Sequence, residues 1–197
     1  PEIMAMFLID NDNSYSYDDL LQSLNMSSEY CLLYKTSDIY SYFVNLIKAL
    51  AANKPLVLLD SDLNPAEIDG VDEHLVNVKE EIAKKSYKSM GEIVEDIQNS
   101  TSEITIFTSG TTGQPKKVLH TVATLTRSVR TGERYVGQIW AYAYNPTHMA
   151  GLQVFFQAFE NLNTLVNVFN KQRSEVYDLI NKHNITHISA TPTFYRL

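Results

Sequence analysis

Apolar residues along this chain of 197 residues recur with two alternating periods. Phe43, Leu46, Ile47 and Leu50 follow helical spacing after Asp38, whose side chain can cap the first turn, and Pro55 then opens a run at 56–59 of buried-strand length. Ser89 and Glu92 stand in capping-box spacing ahead of a helix that buries Met90, Ile93, Val94 and Ile97. Short apolar runs at 30–34, 104–107, 118–120, 139–144, 164–168 and 185–189 read as strands. Between them, 121–134 reads as a helix, and Met149, Leu152, Phe155, Phe156 and Phe159 form the apolar stripe of another. A further helix carries Val176, Leu179 and Ile180, and Asn184 ends it. Residues 69–88 are charged and weakly periodic and read as a flexible connection, with 80–85 as a helical candidate. Strands alternating with helices imply an α/β class, a β-sheet flanked by helices.

Chemistry concentrates at 108–116, which reads Thr-Ser-Gly-Thr-Thr-Gly-Gln-Pro-Lys directly after the strand at 104–107. Gly110 and Gly113 can adopt positive φ and let an anion approach the main chain, so that successive N–H groups converge on phosphate oxygens. Ser109, Thr111 and Thr112 add hydroxyl donors, and the Lys116 ammonium can balance phosphate charge. The spacing is not that of a Walker loop, because Pro115 and two further positions separate Gly113 from its lysine. A bare GTTG is also the composition of a solvated turn; the whole nine-residue string narrows the reading to a phosphate loop.

That string resembles the first signature loop of the adenylate-forming superfamily, which includes acyl- and aryl-CoA synthetases, peptide-synthetase adenylation domains and luciferases. The family pattern is an aromatic residue followed by TSG[ST]TGxPKG and valine. Phe107 to Lys116 fits it, with Val118 at the valine position; Lys117 replaces the usual glycine, and Val122 stands where many members have histidine. A second segment, 145–151, reads Asn-Pro-Thr-His-Met-Ala-Gly and is similar to the family's PxxHxxG segment beside the acid pocket. His148 and Gly151 are in register and Pro146 is one residue out of step. Taken alone, His148 reads rather as a capping or core histidine at a helix start, and its register after the loop is what turns the reading to a pocket residue. Fainter likenesses at 16–20, 54–65 and 186–192 extend the resemblance over about 16–197.

The resemblance implies a partial N-terminal AMP-binding domain over 1–197, of acyl-CoA synthetase-like (luciferase-like) fold. Thr108, Ser109, Gly110, Thr111, Thr112, Gly113 and Lys116 would hold ATP phosphates, and His148 and Gly151 would border the carboxylate substrate. Lys116 and His148 are the expected catalytic residues. The implied cofactors are ATP, Mg²⁺ arriving with it, and coenzyme A. The family's later adenine, ribose, hinge and C-terminal lysine motifs do not occur in the sequence, which predicts an absent C-terminal domain and no complete reaction by this chain alone. Two other classes remain open at this point: a non-catalytic nucleotide-binding or assembly module, and a peptide-synthetase adenylation unit that loads a carrier protein.

Composition trims the list of partners. Twenty-three acidic against sixteen basic side chains give a net charge of −7 without a basic run, which argues against nucleic acid. No apolar stretch reaches the ~18 residues of a membrane span and no secretory leader is visible, so a cytoplasmic location is expected. Cys31, the single cysteine, cannot form an internal disulfide and reads as a packed small side chain. The histidines lack ligand spacing, so no protein-held metal is expected. An incomplete sheet would leave Phe155, Phe159 and 188–197 bare, which predicts self-association into a homo-oligomer.

Overall fold

The computed structural model describes residues 5–108 and 113–189. In chain order the elements are β1 (Met6–Asp10), β2 (Asn13–Ser16), α1 (Tyr17–Met26), β3 (Glu29–Cys31), β4 (Leu33–Tyr34) and α2 (Ile39–Ala51). Next come β5 (Leu56–Leu58), β6 (Lys79–Glu81), α3 (Met90–Gln98), β7 (Glu103–Thr108), β8 (Lys116–Thr121) and the one-turn α4 (Val122–Leu125). The series closes with β9 (Ile139–Tyr142), α5 (Met149–Glu160), β10 (Thr164–Asn167), α6 (Arg173–His183) and β11 (His187–Ser189). The chain divides into two compact units, Pro1–Leu20 with Ser128–Leu197, and Leu21–Arg127.

The first unit is built on a five-stranded sheet in the order β11-β9-β10-β1-β2. β11, β9, β10 and β1 run parallel, and β2 closes the edge antiparallel to β1. Alternation sorts its side chains between two faces. Ala141 and Val166 pack with Val168 and with Val176 of α6, and Ile9, Ile139 and Ile188 join them. Phe155 and Phe159 of α5 are fully buried, Phe155 stacks on Phe159 at 5.2 Å, and Phe159 meets the edge of Phe7 on β1. The bare aromatic face expected from the sequence is therefore not present at Phe155 and Phe159, because the parallel sheet already covers them. Met149, assigned to the same apolar stripe, is 46% exposed: it is the first residue of α5 and stands before the face that meets the sheet.

The second unit holds a four-stranded sheet in the order β4-β5-β7-β8 and a two-stranded ribbon, β3 with β6. β4, β5 and β7 are parallel, and β8 returns antiparallel to β7. α2 begins where expected: Asp38 accepts from the Ser41 N–H at 3.1 Å. It ends on Asn53 in the left-handed conformation (φ 56°), with the Lys54 N–H donating to the Ala49 carbonyl at 2.8 Å. Asn45 lies on the buried side of α2, where its amide donates to the Cys31 carbonyl at 3.0 Å and accepts from the Cys31 N–H at 2.7 Å. Both amide groups are thus satisfied away from water. Cys31 itself is buried, and that burial pushes its thiol pKa up, in keeping with a packed side chain.

Three local expectations change. The helix expected at 121–134 stops after Leu125. Thr121 and Thr124 cap each other, and the Thr126 hydroxyl donates back to the Val122 carbonyl. Beyond that turn, polar side chains of α5 capture the chain: Arg130 donates its N–H to Gln157, and its carbonyl accepts from Gln157 and Asn161. Residues 80–85 do not form a helix, because Glu29, Tyr30 and Cys31 pair with Glu81, Glu80 and Lys79 as a ribbon. The connection 69–88 is likewise less irregular than expected, with a short 3-10 turn at Glu73–Leu75 ahead of that ribbon.

The start of α1 is fixed by a reciprocal cap: the Asp19 N–H donates to the Ser16 hydroxyl at 3.0 Å and the Ser16 N–H donates to the Asp19 carboxylate at 2.9 Å. Asp19→Ala should cost about 1 kcal/mol in chemical denaturation, the ordinary worth of such a cap. Asp18→Ala, next to it and exposed, should change stability by no more than a few tenths. Equal losses in the two variants would show that the cap contributes nothing beyond the helix dipole.

Candidate functional site

Two segments carry the site residues, one in each unit. In the second unit, β7 and β8 form an antiparallel hairpin whose register runs from Glu103 opposite Thr121 to Thr108 opposite Lys116. The glycine- and threonine-rich string is the connection of this hairpin. Thr108 and Lys116 are its closing pair, with the Thr108 hydroxyl 3.4 Å from the Lys116 carbonyl. Ser109, Gly110, Thr111 and Thr112 lie outside the described residues. Gly113 has φ +86°, a conformation that needs glycine, and a Cβ there would meet nothing within 4 Å. The sequence therefore uses this glycine for backbone direction.

Lys116 is exposed and, among the described residues, forms no ion pair with a carboxylate. Its backbone is fixed in the ladder while its ammonium is available to an anion. Lys117, which departs from the family glycine, sits in the same regular strand opposite Phe107. Successive strand residues face opposite sides, so Lys117 points away from the side Lys116 takes, and nothing in the ladder there calls for glycine.

In the first unit, the segment 145–151 joins β9 to α5 through a tight turn. The His148 N–H donates to the Asn145 carbonyl at 3.1 Å, and the Asn145 side chain accepts from the Thr147 N–H at 2.9 Å and the Thr147 hydroxyl at 2.8 Å. Pro146 fits the second position of this turn, where a fixed φ is an advantage. His148 occupies the N-cap position of α5 without a side-chain cap bond, its carbonyl accepts from the Leu152 N–H at 3.0 Å, and the residue is exposed. It is therefore a capping residue by backbone alone, with its imidazole outside the core.

Gly151 is buried within the first turns of α5, and the turn presses directly on it. A Cβ at this position would lie 2.2 Å from the Asn145 carbonyl oxygen and 3.1 Å from the Tyr142 hydroxyl. Tyr142, fully buried at the end of β9, donates its hydroxyl to the Gly151 carbonyl at 2.7 Å. Tyr142 and Asn145 thus position the turn that presents His148. Neither residue stands out by spacing as a site residue, although Asn145 opens the 145–151 segment. The signal available was a polar-tipped aromatic ending a buried strand six positions before the histidine.

Among the described residues, no group of three or more histidine, cysteine, aspartate or glutamate side chains is arranged to hold a metal ion, and no helix is long and apolar enough to cross a membrane.

The chain is similar in fold to several solved structures. An o-succinylbenzoate CoA synthetase double mutant from Bacillus subtilis, bound with a product analogue, superposes with a TM-score of 0.66 at 19% identity, over 98% of this chain and 47% of that one. The N-terminal domain of FACL13 from Mycobacterium tuberculosis gives 0.65 at 14% identity, over 98% of this chain and 60% of that one. The N-terminal subdomain of NpsA from Klebsiella oxytoca gives 0.63 at 14%, over 94% and 57%. This chain therefore spans about half to three-fifths of the length of these proteins, and at such identities the likeness establishes the fold. No curated protein matches the chain by sequence. The sequence pattern of the AMP-binding enzymes, by contrast, matches residues 35–197, which include both the β7–β8 hairpin and the His148 turn. The chain belongs to the AMP-binding enzyme family.

Proposed function

We propose that this chain supplies the phosphate-gripping loop and the acid-facing turn of an ATP-dependent ligase that activates a carboxylate. The observation that carries this reading is the placement of the string 108–116. It forms the connection of a hairpin closed by Thr108 and Lys116, with a positive-φ glycine and an ammonium that forms no ion pair among the described residues, in a chain of the AMP-binding family. The two ends of the string are fixed opposite each other in one ladder, and a triphosphate is bound by positioning and charge stabilisation.

In the proposed reaction a substrate carboxylate oxygen attacks the α-phosphorus of ATP while the bond to the bridging oxygen breaks. The products are an acyl-adenylate and pyrophosphate. A thiol, that of coenzyme A in this reading, then attacks the acyl carbon and AMP departs with the oxygen. Magnesium accompanies ATP and offsets phosphate charge. Thr108, Ser109, Thr111, Thr112 and Lys116 bind the β- and γ-phosphates, Gly110 and Gly113 allow their approach, and His148 with Gly151 borders the carboxylate. No side-chain nucleophile is needed, because positioning and charge stabilisation carry the step. The chain by itself binds phosphate without turnover, since the family's later motifs lie outside its sequence.

Titrating pyrophosphate into the chain while following the amide resonances of Gly110 and Gly113 tests this reading. Weak, salt-sensitive binding is expected, with little preference between ATP and GTP. Lys116→Ala should weaken binding by about 1.5 to 3 kcal/mol, the worth of one charged contact. Lys117→Gly should leave affinity unchanged or raise it. Absence of any shift at millimolar pyrophosphate in a folded sample would refute the assignment, and robust pyrophosphate exchange into ATP by this chain alone would refute the claim of binding without turnover.

A further inference from the structure

Between α4 and β9 the chain runs through residues 128–137 without joining a sheet. Its one regular element is a 3-10 turn at Glu133–Tyr135. Val129 and Tyr135 are half-buried, and the other residues of the stretch are exposed. Gly132 and Gly137 stand at φ +126° and +72°, so the backbone bends at two points where a side chain would be strained.

Four hydrogen bonds hold this stretch against the end of α5 and the start of β10. The Arg130 N–H donates to the Gln157 side-chain oxygen at 2.9 Å, and the Gln157 amide donates back to the Arg130 carbonyl at 2.9 Å. The Asn161 amide donates to the same carbonyl at 2.8 Å, and the Asn163 amide donates to the Tyr135 carbonyl at 2.9 Å. Two further bonds are internal: the Tyr135 N–H donates to the Gly132 carbonyl at 3.0 Å and the Val136 N–H to the Glu133 carbonyl at 3.4 Å. Among the described residues, no other hydrogen bond ties 128–137 to the rest of the chain. Every tie therefore ends on a side-chain amide.

Those amides are held in place from their own side. Asn161 also donates to the Gln157 carbonyl at 2.9 Å, and Asn163, 1% exposed, also donates to the Asn161 carbonyl at 3.3 Å. β9, which follows the stretch, is held quite differently, with β10 along one edge and β11 along the other. Freeing β9 would forfeit two backbone ladders at once, whereas each bond to the stretch can be exchanged singly for a bond to water at small net cost.

We propose that 128–137 is a latched strap, which detaches from α5 as one piece while the sheet of the first unit stays formed, and that Gln157, Asn161 and Asn163 are its latch. Detached, it gives slack to the chain between β8, which carries Lys116, and β9, which leads into the His148 turn. The catalytic meaning of that slack rests on the ligase reading above; the detachment does not.

Trypsin acting on the folded 197-residue chain tests it, because Arg130 and Arg134 are exposed on the strap. Cleavage at these two sites is expected at a rate that low urea leaves unchanged, since detachment uncovers little surface. Gln157→Ala removes two of the four bonds from a half-buried helix position and should speed cleavage by roughly tenfold or more. Hydrogen exchange gives a second readout: the Arg130 amide should exchange without urea dependence, while the amides of Ala141 and Val166 should exchange only through unfolding that urea promotes. Cleavage that rises steeply with urea from the first addition would mean that the strap leaves only when the unit unfolds, and overturns the proposal. Equal cleavage rates for Gln157→Ala and the parent would show that the amides are not a latch and overturn it too.

Discussion

Gly151→Ala is expected to lower the stability of the first unit by about 2 kcal/mol or more, although alanine is the better helix former by about 1 kcal/mol. The clash outweighs the propensity because the added methyl would sit 2.2 Å from the Asn145 carbonyl oxygen and 3.0 Å from its carbon. Those are backbone atoms of a turn already fixed by the Thr147 and His148 N–H groups, so they cannot swing aside as a flexible side chain would. Relief requires α5 to move off the turn, which would also stretch the Tyr142 bond to the Gly151 carbonyl. Gly91 provides the contrast. It too is helical, but its added Cβ would meet only the Ser89 hydroxyl at 3.7 Å. Gly91→Ala should therefore stabilise by roughly 0.5 kcal/mol through propensity alone. Denaturant midpoints for the two variants should move in opposite directions; a Gly151→Ala protein as stable as the parent would mean that the turn does not press on the helix.

Phe155→Ala should cost about 3 to 5 kcal/mol, a large fraction of the 5–15 kcal/mol that holds a typical domain. The ring is fully buried, stacks on Phe159 at 5.2 Å and meets Phe156 at 5.3 Å. Phe159 in turn meets Phe7, and Phe7 lies 5.4 Å from the Tyr17 ring, so one row of rings joins α5, β1 and the first turn of α1. Removing a ring from the α5 end of that row leaves a cavity that helix and sheet can close only by giving up their other contacts. Near-ultraviolet dichroism and denaturant unfolding would register the change, and a loss below 1 kcal/mol would exclude Phe155 from the core that defines this unit.

Where the sequence could be read, local physics and tertiary structure point the same way. Asp38, Ser89 and Asn184 each carry a cap or terminator that acts within a few residues, and each is found in that role. The Ser89 box is only half formed, since the Glu92 carboxylate takes the Lys88 N–H. The strand before the phosphate loop is recognisable because Ile104, Ile106 and Phe107 must be buried whatever surrounds them. The misread segments depend on distant partners. Residues 126–134 have enough helical spacing to suggest a helix, but the side chains of Gln157 and Asn161 claim the Arg130 backbone. Lys79, Glu80 and Glu81 stay exposed, as a charged run should, but they form a strand only because Glu29, Tyr30 and Cys31 lie alongside them. Asn45 interrupts an apolar helix face for a reason that only the position of Cys31 explains. At the candidate site, the loop string and His148 are legible as motifs, while the press of Asn145 on Gly151 is a matter of three-dimensional approach that no spacing reveals.

The pairing of β1 with β10 also sets an order of events during synthesis. Asp10 and Asn167, joined by a side-chain hydrogen bond across these neighbouring strands, are 157 residues apart in the chain. All of Leu21–Arg127 is made between them. At ordinary translation rates of about 5–20 residues per second, β1 waits on the order of 10 to 30 s for its parallel neighbour. During that interval only the β2 hairpin can occupy its other edge, and the side that later receives β10 remains open. The second unit has every one of its strands available before the first unit can close. A chain truncated after residue 130 should therefore protect β5 and β7 from hydrogen exchange while β1 still exchanges freely, and a chaperone that binds open strand edges would find its target in β1.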